Sequence, residues 1–411
     1  MADARPLAGL KVLEFSHAIM GPTAGLVFAD LGADVIKIEP APGGDPTRRL
    51  PGFASGFFAM FNRNKRSISV DLKSSAGQAA VHRLVADADV VLENYGPGTM
   101  ERLDCGAERL LELNPRLIYL ALKGFLAGPY EHRSALDEVV QFQAGLAYMT
   151  GPPGQPLRAG ASIVDILGGL FGVTAVLAAL RERDVTGRGQ RVSSALFETA
   201  VLLMGPHMAG GAATGEAVPP MTARKGAWGI YDVFPSCDGR QAFIGVTSDA
   251  QWQRFCDVFG FAELFANPEI ATNTQRCAAR AWLIPELGAR LSRLTYDDLI
   301  AGSERAQISW APVGRPEDLF TDPHLVEGGG LLGVVLAAAG GGLGAKVPLP
   351  ALPLEFGPDR ARLTLDRQPP AAGEHSREIL REAGFSETDI AELIDAGTVV
   401  AGDAAARARP V

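Results

Sequence analysis

Asp165 stands alone as a charge in an apolar, small-residue run, and Leu170, Val173, Thr174, Leu177 and Leu180 recur after it at three- and four-residue spacing. Arg181 to Arg183 put charge in what would be the last turn, and Gly187 follows as a stop, so the pattern predicts a helix with Asp165 at or near its start. Two roles fit a carboxylate there. As an N-cap, its oxygens would accept orphan amide protons. As a nucleophile, it would use the small neighbours Gly168 and Gly169 to admit a bulky acyl substrate, with backbone amides close to a developing oxyanion. The turn Ser16-His17-Ala18-Ile19-Met20-Gly21-Pro22 carries His17, which on local pattern alone reads as an ordinary turn histidine, and Asp137 on the same terms reads as an N-cap or a surface carboxylate.

The elements that must position these groups alternate. Leu10 to Phe15 reads as a strand, Gly21 to Gly32 as a helix, Asp34 to Glu39 as a strand and Ser67 to Leu72 as a third strand. Ser75 to Ala88 and Ala107 to Leu113 read as helices, with strands at Val90 to Glu93 and Leu117 to Leu122. This order predicts βαβ units and a parallel sheet, an α/β fold with a large Rossmann-like domain. No GxGxxG follows the first strand, which argues against a nicotinamide cofactor.

The chain has 411 residues, 47% hydrophobic and 21% charged, enough for two or three domains at about 150 residues each. The N-terminal part of the large domain is assigned to residues 1–204, a Gly/Ala/Pro-rich linker to 205–224, a smaller α+β domain to 225–326, a Gly-rich linker of loop plus a short strand to 327–345, and a return to the large domain to 346–411. Trp228 to Phe234 reads as a strand, Cys237 to Arg240 as a hairpin turn, and a helix opens near Gly373-Glu374-His375. A net charge of −9 argues against nucleic-acid or anionic-membrane partners held by the average field. Cys105, Cys237, Cys256 and Cys277 form no CxxC pair and no zinc spacing, so no metal site is expected and the thiols read as reduced. No signal-peptide pattern and no run of roughly 20 apolar residues is read, which gives a cytoplasmic expectation.

The ordered pieces Leu7-Ala8-Gly9-Leu10-Lys11-Val12-Leu13-Glu14, Leu31-Gly32-Ala33-Asp34-Val35-Ile36-Lys37-Ile38-Glu39, Asn62-Arg63-Asn64-Lys65-Arg66-Ser67-Ile68 and Glu93-Asn94-Tyr95-Gly96-Pro97-Gly98 resemble the class III CoA-transferases. Asp165 with its run, Thr186-Gly187-Arg188-Gly189-Gln190, Thr321-Asp322-Pro323-His324-Leu325 and Gly373-Glu374-His375 extend the likeness over nearly the whole length. The resemblance implies that Asp165 attacks a CoA thioester, giving a mixed anhydride and then an aspartyl-CoA thioester, with His17 beside the thioester and Asp137 near the reacting carboxylate. It also implies that CoA enters as a substrate, with no tightly bound cofactor. Lys65, Lys73 and Arg102 become candidates for the nucleotide phosphates, and Asn94 and Tyr95 for the adenine and pantetheine path. It further implies an interlocked homodimer.

Departures from the family pattern narrow the choice. Ile19 stands where some formyl-CoA transferases carry glutamine, and Pro40 where they carry an arginine that contacts CoA. Leu136 stands where the related α-methylacyl-CoA racemases place a histidine needed for two-base proton exchange. The reading is therefore transfer of CoA between an acyl-CoA, with succinyl-CoA preferred, and a short dicarboxylate; Arg133, Arg224 and Lys225 are candidates for its distal carboxylate. The alternatives are a racemase or epimerase, an intramolecular CoA transfer within one dicarboxylic acid, and a noncatalytic CoA-binding protein.

Overall fold

The computed structural model describes residues 5–223, 226–337 and 343–402, and Arg224 and Lys225 lie outside them. Two compact units emerge, one from Met1–Thr222 with Pro323–Val411, the other from Ala223–Asp322. The first unit begins with β1 (Lys11–Phe15), α1 (Met20–Asp30), β2 (Asp34–Pro40), α2 (Phe57–Asn62), β3 (Arg66–Val70), α3 (Ser75–Val85) and β4 (Val90–Glu93). It continues with α4 (Thr99–Arg102), α5 (Ala107–Leu113), β5 (Ile118–Lys123), α6 (Asp137–Gln143), α7 (Leu146–Thr150), α8 (Ile163–Thr186), β6 (Gln190–Ala195) and α9 (Leu196–Thr214).

The smaller unit holds β7 (Ile230–Pro235), β8 (Gln241–Val246), α10 (Asp249–Phe259), α11 (Ala262–Phe265), α12 (Asn273–Leu291), α13 (Tyr296–Arg305) and β9 (Ser309–Pro312). Its antiparallel sheet runs β7-β8-β9, and its core gathers Phe234, Ile244, Trp252, Phe255 and Leu283. The chain returns to the large unit through α14 (Pro323–Glu327), β10 (Leu331–Ala337), β11 (Leu343–Pro350), β12 (Glu355–Phe356), β13 (Ala361–Arg362), α15 (Ser376–Glu382), α16 (Glu387–Asp395) and β14 (Val399–Val400).

The large sheet has seven strands in the order β14-β3-β2-β1-β4-β5-β6, all parallel except β14, which pairs antiparallel with β3. This is the Rossmann-like sheet that the alternating pattern predicts. Strand order reverses beside β1, which pairs with β2 on one side and β4 on the other. In open α/β sheets the crevice outside such a switch point, at the carboxyl ends of the strands, is where ligands bind. Because both faces are covered, the strands read as near-continuous hydrophobic runs, and one core lies on each face.

Three sequence expectations change. The segment 205–224 is not a linker throughout: α9 runs on to Thr214 and ends where Gly215 adopts a left-handed φ of 72°. Its Gly and Ala residues leave a helix viable, and Pro206 removes only one amide donor. The Gly-rich stretch 327–345 holds more than the one short strand expected of it, since it carries β10 and the start of β11, which pair antiparallel with Leu332 opposite Leu349. Finally, α8 is long and apolar enough to cross a membrane, with a mean hydropathy of 2.2 over its most apolar window, although the sequence reading found no such run. It packs on the sheet and on α1 through glycines: a Cβ on Gly169 would lie 2.6 Å from the Met20 carbonyl oxygen, and one on Gly172 would lie 2.7 Å from Leu122.

That close approach yields a prediction. Gly169→Val pushes α8 off α1 and lowers unfolding free energy by about 1–3 kcal/mol in chemical denaturation. By contrast Gly288→Ala, in α12 with no heavy atom within 4 Å of the added methyl, raises it by roughly 0.5–1 kcal/mol.

Candidate active site

Asp165 is the third residue of α8, and the N-cap is Ser162, which makes no side-chain cap. The N-cap reading of Asp165 is thereby corrected. The capping is done from a distance by Asp137, the first residue of α6, whose Oδ2 accepts from the amides of Val164 at 2.9 Å and Asp165 at 3.0 Å. Asp137 is buried, and its Oδ1 accepts from Gln141, whose own Oε1 accepts from the Ala159 amide. Two of the donors that would ordinarily stabilise a first-turn carboxylate are thus taken. The half-buried carboxylate of Asp165 has no hydrogen bond or ion pair among the described residues. Burial, then the charges of Asp137 and Glu138, push its pKa up to about 7.

Gly168 and Gly169 do not leave the open approach that the sequence reading gave them. Both are buried against Met20 at the start of α1, so they bring the first turns of α8 and α1 together. His17 lies three residues before Met20, between β1 and α1, at the topological switch point. Its backbone is held from the neighbouring strand: the Asn94 Oδ1 accepts from the His17 amide at 3.0 Å, and the Asn94 Nδ2 donates to the His17 carbonyl at 2.9 Å. The His17 ring is exposed and stacks on Tyr95 with centroids 5.5 Å apart. Burial of its inner side lowers its pKa below the ordinary imidazole value, so it is largely neutral at pH 7.

Asn94 and Tyr95 therefore act first as supports. Tyr95 is itself gripped at both backbone groups, its amide donating to Glu93 at 3.0 Å and its carbonyl accepting from Lys123 at 2.9 Å. Gly21 is required beside this grip, since a Cβ there would meet Ser16 at 2.5 Å and Asn94 at 2.9 Å.

Lys65 requires correction. It is fully buried, and its Nζ contacts Glu14 at 2.7 Å and donates to the Pro22 carbonyl and to Asn62, each at 3.0 Å. It cannot reach a phosphate from there. Burial outweighs Glu14 and lowers its pKa to about 8. The rest of its motif also turns inward: Arg63 pairs with Asp30 at 2.7 Å, and Arg66 with Asp34, Glu378 and Glu382. Lys73, past the end of β3, and Arg102, at the end of α4, are exposed and stand at the carboxyl edge of the sheet. Arg102 donates to Thr99 at 2.9 Å. No contact among the described residues joins either cation to His17 or Asp165. Arg133 lies on the Tyr130 ring at 4.0 Å.

The sequence reading overlooked Arg158, which pairs at 3.0 Å with Glu138, the neighbour of Asp137. It also overlooked a cleft of about 520 Å³ bordered by Glu93, Gly98, Lys123, His132 and Arg191, alongside the Tyr95 loop. That size suits a small-molecule site. A cavity of about 370 Å³ lined by Asp34, Asn64 and Arg66 lies at the other edge of the sheet, away from these groups. Among the described residues no cluster of three or more His, Cys, Asp or Glu side chains could hold a metal.

Residues 7–376 match CoA-transferase family III. An acyl-CoA transferase of Fusarium pseudograminearum is 36% identical over 96% of this chain and 88% of its own length. A succinate–glutarate CoA-transferase of Agrobacterium fabrum is 33% identical over 92% of this chain and 95% of its own. A crystal structure of a CAIB/BAIF family protein from Brucella suis superposes with a TM-score of 0.82 at 33% identity, covering 93% of this chain and all of that one.

The raised pKa of Asp165 carries a stability signature. Between the unfolded carboxylate value near 4 and about 7, the folded state holds a proton that the unfolded state has lost, so this contribution to stability disappears as pH rises through 7. Asp165→Asn removes the penalty. Its Tm should match the native protein near pH 4 and exceed it by a few degrees at pH 8.

Proposed function

We propose, from the premise that this chain belongs to CoA-transferase family III, that it moves CoA reversibly between succinyl-CoA and a short dicarboxylic acid through covalent intermediates on Asp165. Membership makes it a CoA-transferase whose substrates are CoA thioesters and carboxylates. The observation that carries the Asp165 assignment is its placement: a half-buried carboxylate in the first turn of a long helix, its neighbouring amides spent on Asp137 and its basicity raised. A carboxylate with a pKa of about 7 is ionised in half the molecules at neutral pH and is a stronger nucleophile than one fully solvated.

The Asp165 carboxylate attacks the thioester carbonyl and expels CoA thiolate, leaving a mixed anhydride. The thiolate then attacks the aspartyl carbonyl of that anhydride, releasing the donor acid and forming the aspartyl-CoA thioester. The acceptor carboxylate reverses both steps, so the thioester's energy is conserved and no nucleotide triphosphate is consumed. Neutral His17 is proposed to donate to the carbonyl oxygen as charge develops on it. Lys73 and Arg102 are proposed to meet the nucleotide phosphates. The succinate–glutarate relative and the position of Arg158 beside Glu138 support a dicarboxylic acceptor. Leu136 is largely exposed and offers no base, which disfavours racemisation.

Incubation with succinyl-CoA and a panel of mono- and dicarboxylic acids, read by mass spectrometry, should give new thioesters with short dicarboxylates. The rate constant kcat/KM for the donor should rise with pH through about 7, and Asp165→Ala should fall to background. Exchange of an α-proton without acyl transfer would assign the racemase reaction instead.

A second copy of the chain is proposed to cover α8 and α9, where Phe171, Leu202 and Met208 are exposed on neighbouring helices. Sedimentation velocity should then give about twice the monomer mass of 43.2 kDa, and Leu202→Glu with Met208→Glu should shift it toward monomer.

A further inference from the structure

We propose that Thr47 is a positioning residue for His17, acting through the backbone of Ala18. Among the described residues five without a glycine's freedom have positive φ: Ala18, Asn64, Asp104, Gln307 and Arg360. Asn and Asp tolerate that region through local side-chain hydrogen bonds, but alanine has no such means, and φ of 61° at Ala18 must be imposed from outside. Strained backbone of this kind persists where surrounding contacts over-determine it, and it clusters at functional sites.

The contacts that impose it are on both sides of His17 and converge on one buried ion pair. After His17, the Ala18 amide donates to the Thr47 Oγ1 at 2.8 Å, and the Thr47 amide donates to the Asp45 Oδ1 at 2.8 Å. Before His17, the Lys37 Nζ donates to the Ser16 carbonyl at 2.8 Å, while Ser16 Oγ donates to Glu14 at 2.6 Å. Lys37 and Asp45 are joined at 3.0 Å, and both are sealed from solvent. Thr47 is itself buried. With Asn94 holding the peptide groups of His17 itself, the backbone that carries the imidazole is fixed by three side chains while the ring rests on Tyr95; none of the three needs to touch substrate. Thr47 is the only one of these whose hydroxyl meets the strained residue directly.

The inference rests on the reading of His17 as the group beside the thioester carbonyl. Loss of the Thr47 hydroxyl leaves the Ala18 amide without its acceptor and lets residue 18 relax, turning the imidazole away. Misplacement of a positioned group by about 1 Å costs on the order of 100-fold in rate. Thr47→Val should therefore lower kcat on the order of 10- to 100-fold with little change in the KM for acyl-CoA, and Thr47→Ser should keep most of the native rate. Adding Ala18→Gly to Thr47→Val should recover part of the lost kcat, because glycine occupies the left-handed region without steric cost.

Folding is checked by circular dichroism. If Thr47→Val does not fold, the comparison passes to Thr47→Ala against Thr47→Ser, where Ala must be the slower in kcat. A folded Thr47→Val or Thr47→Ala with native kcat overturns the proposal, as does a loss confined to thermal stability or one that Ala18→Gly leaves unrelieved. A native protein that transfers no CoA at all would instead remove the reading beneath it, a separate and recognisable outcome.

Discussion

The nucleophile proposed for this site depends on one carboxylate capping a helix to which it does not belong. Asp137 takes the amides of Val164 and Asp165, and so fixes the start of α8 while leaving the side chain of Asp165 uncommitted. Had Asp165 capped its own helix, hydrogen bonds to its ionised form would have depressed its pKa and reduced its nucleophilicity. The cap instead adds a negative neighbour, and both effects run in the direction that a covalent carboxylate catalyst requires. Gln141 completes the arrangement by binding Asp137 and the Ala159 amide together, tying the loop before α8 to α6.

The second half of the site is held by buried charge. Glu14, Lys37, Lys65 and Asp45 lie sealed beneath the carboxyl edge of β1 and β2. Desolvating such groups is costly, and apolar residues of the same volume would often give equal or greater stability. Their use here is geometric, since an apolar cluster could not bond the Ser16 carbonyl or orient Asp45 toward Thr47. Glycine is the counterpart of this packing: a Cβ on Gly25 would fall 1.7 Å from the Glu14 carboxylate. The glycines at 168 and 169 likewise serve contact between α8 and α1, which places the two helix starts at one end of the sheet.

The sheet was legible in the sequence because strands buried on both faces are short apolar runs, and the helices between them carry a three-to-four periodicity. Asp165 was legible because a charge in such a run is conspicuous. What stayed hidden depends on partners distant in sequence. The spacing of Asp137 and Val164 carries no sign that one caps the other, and nothing in Asn62 to Ser67 shows that Lys65 turns toward Glu14 and away from solvent. Asn94 could be assigned to a loop but not to the backbone of His17, 77 residues earlier. Composition misled at α9 and β10, where Gly and Ala are compatible with both linkers and packed elements, and only the tertiary contacts decide between them.

The most direct test of a nucleophilic Asp165 is to look for its covalent state. The protein is mixed with acyl-CoA in the absence of an acceptor, quenched with hydroxylamine, digested and analysed by mass spectrometry. The account predicts a hydroxamate on Asp165 alone, formed when hydroxylamine captures the aspartyl thioester or anhydride, and absent without acyl-CoA. A protein that transfers CoA while its Asp165 peptide stays unmodified, or that carries the hydroxamate on another carboxylate, would contradict it.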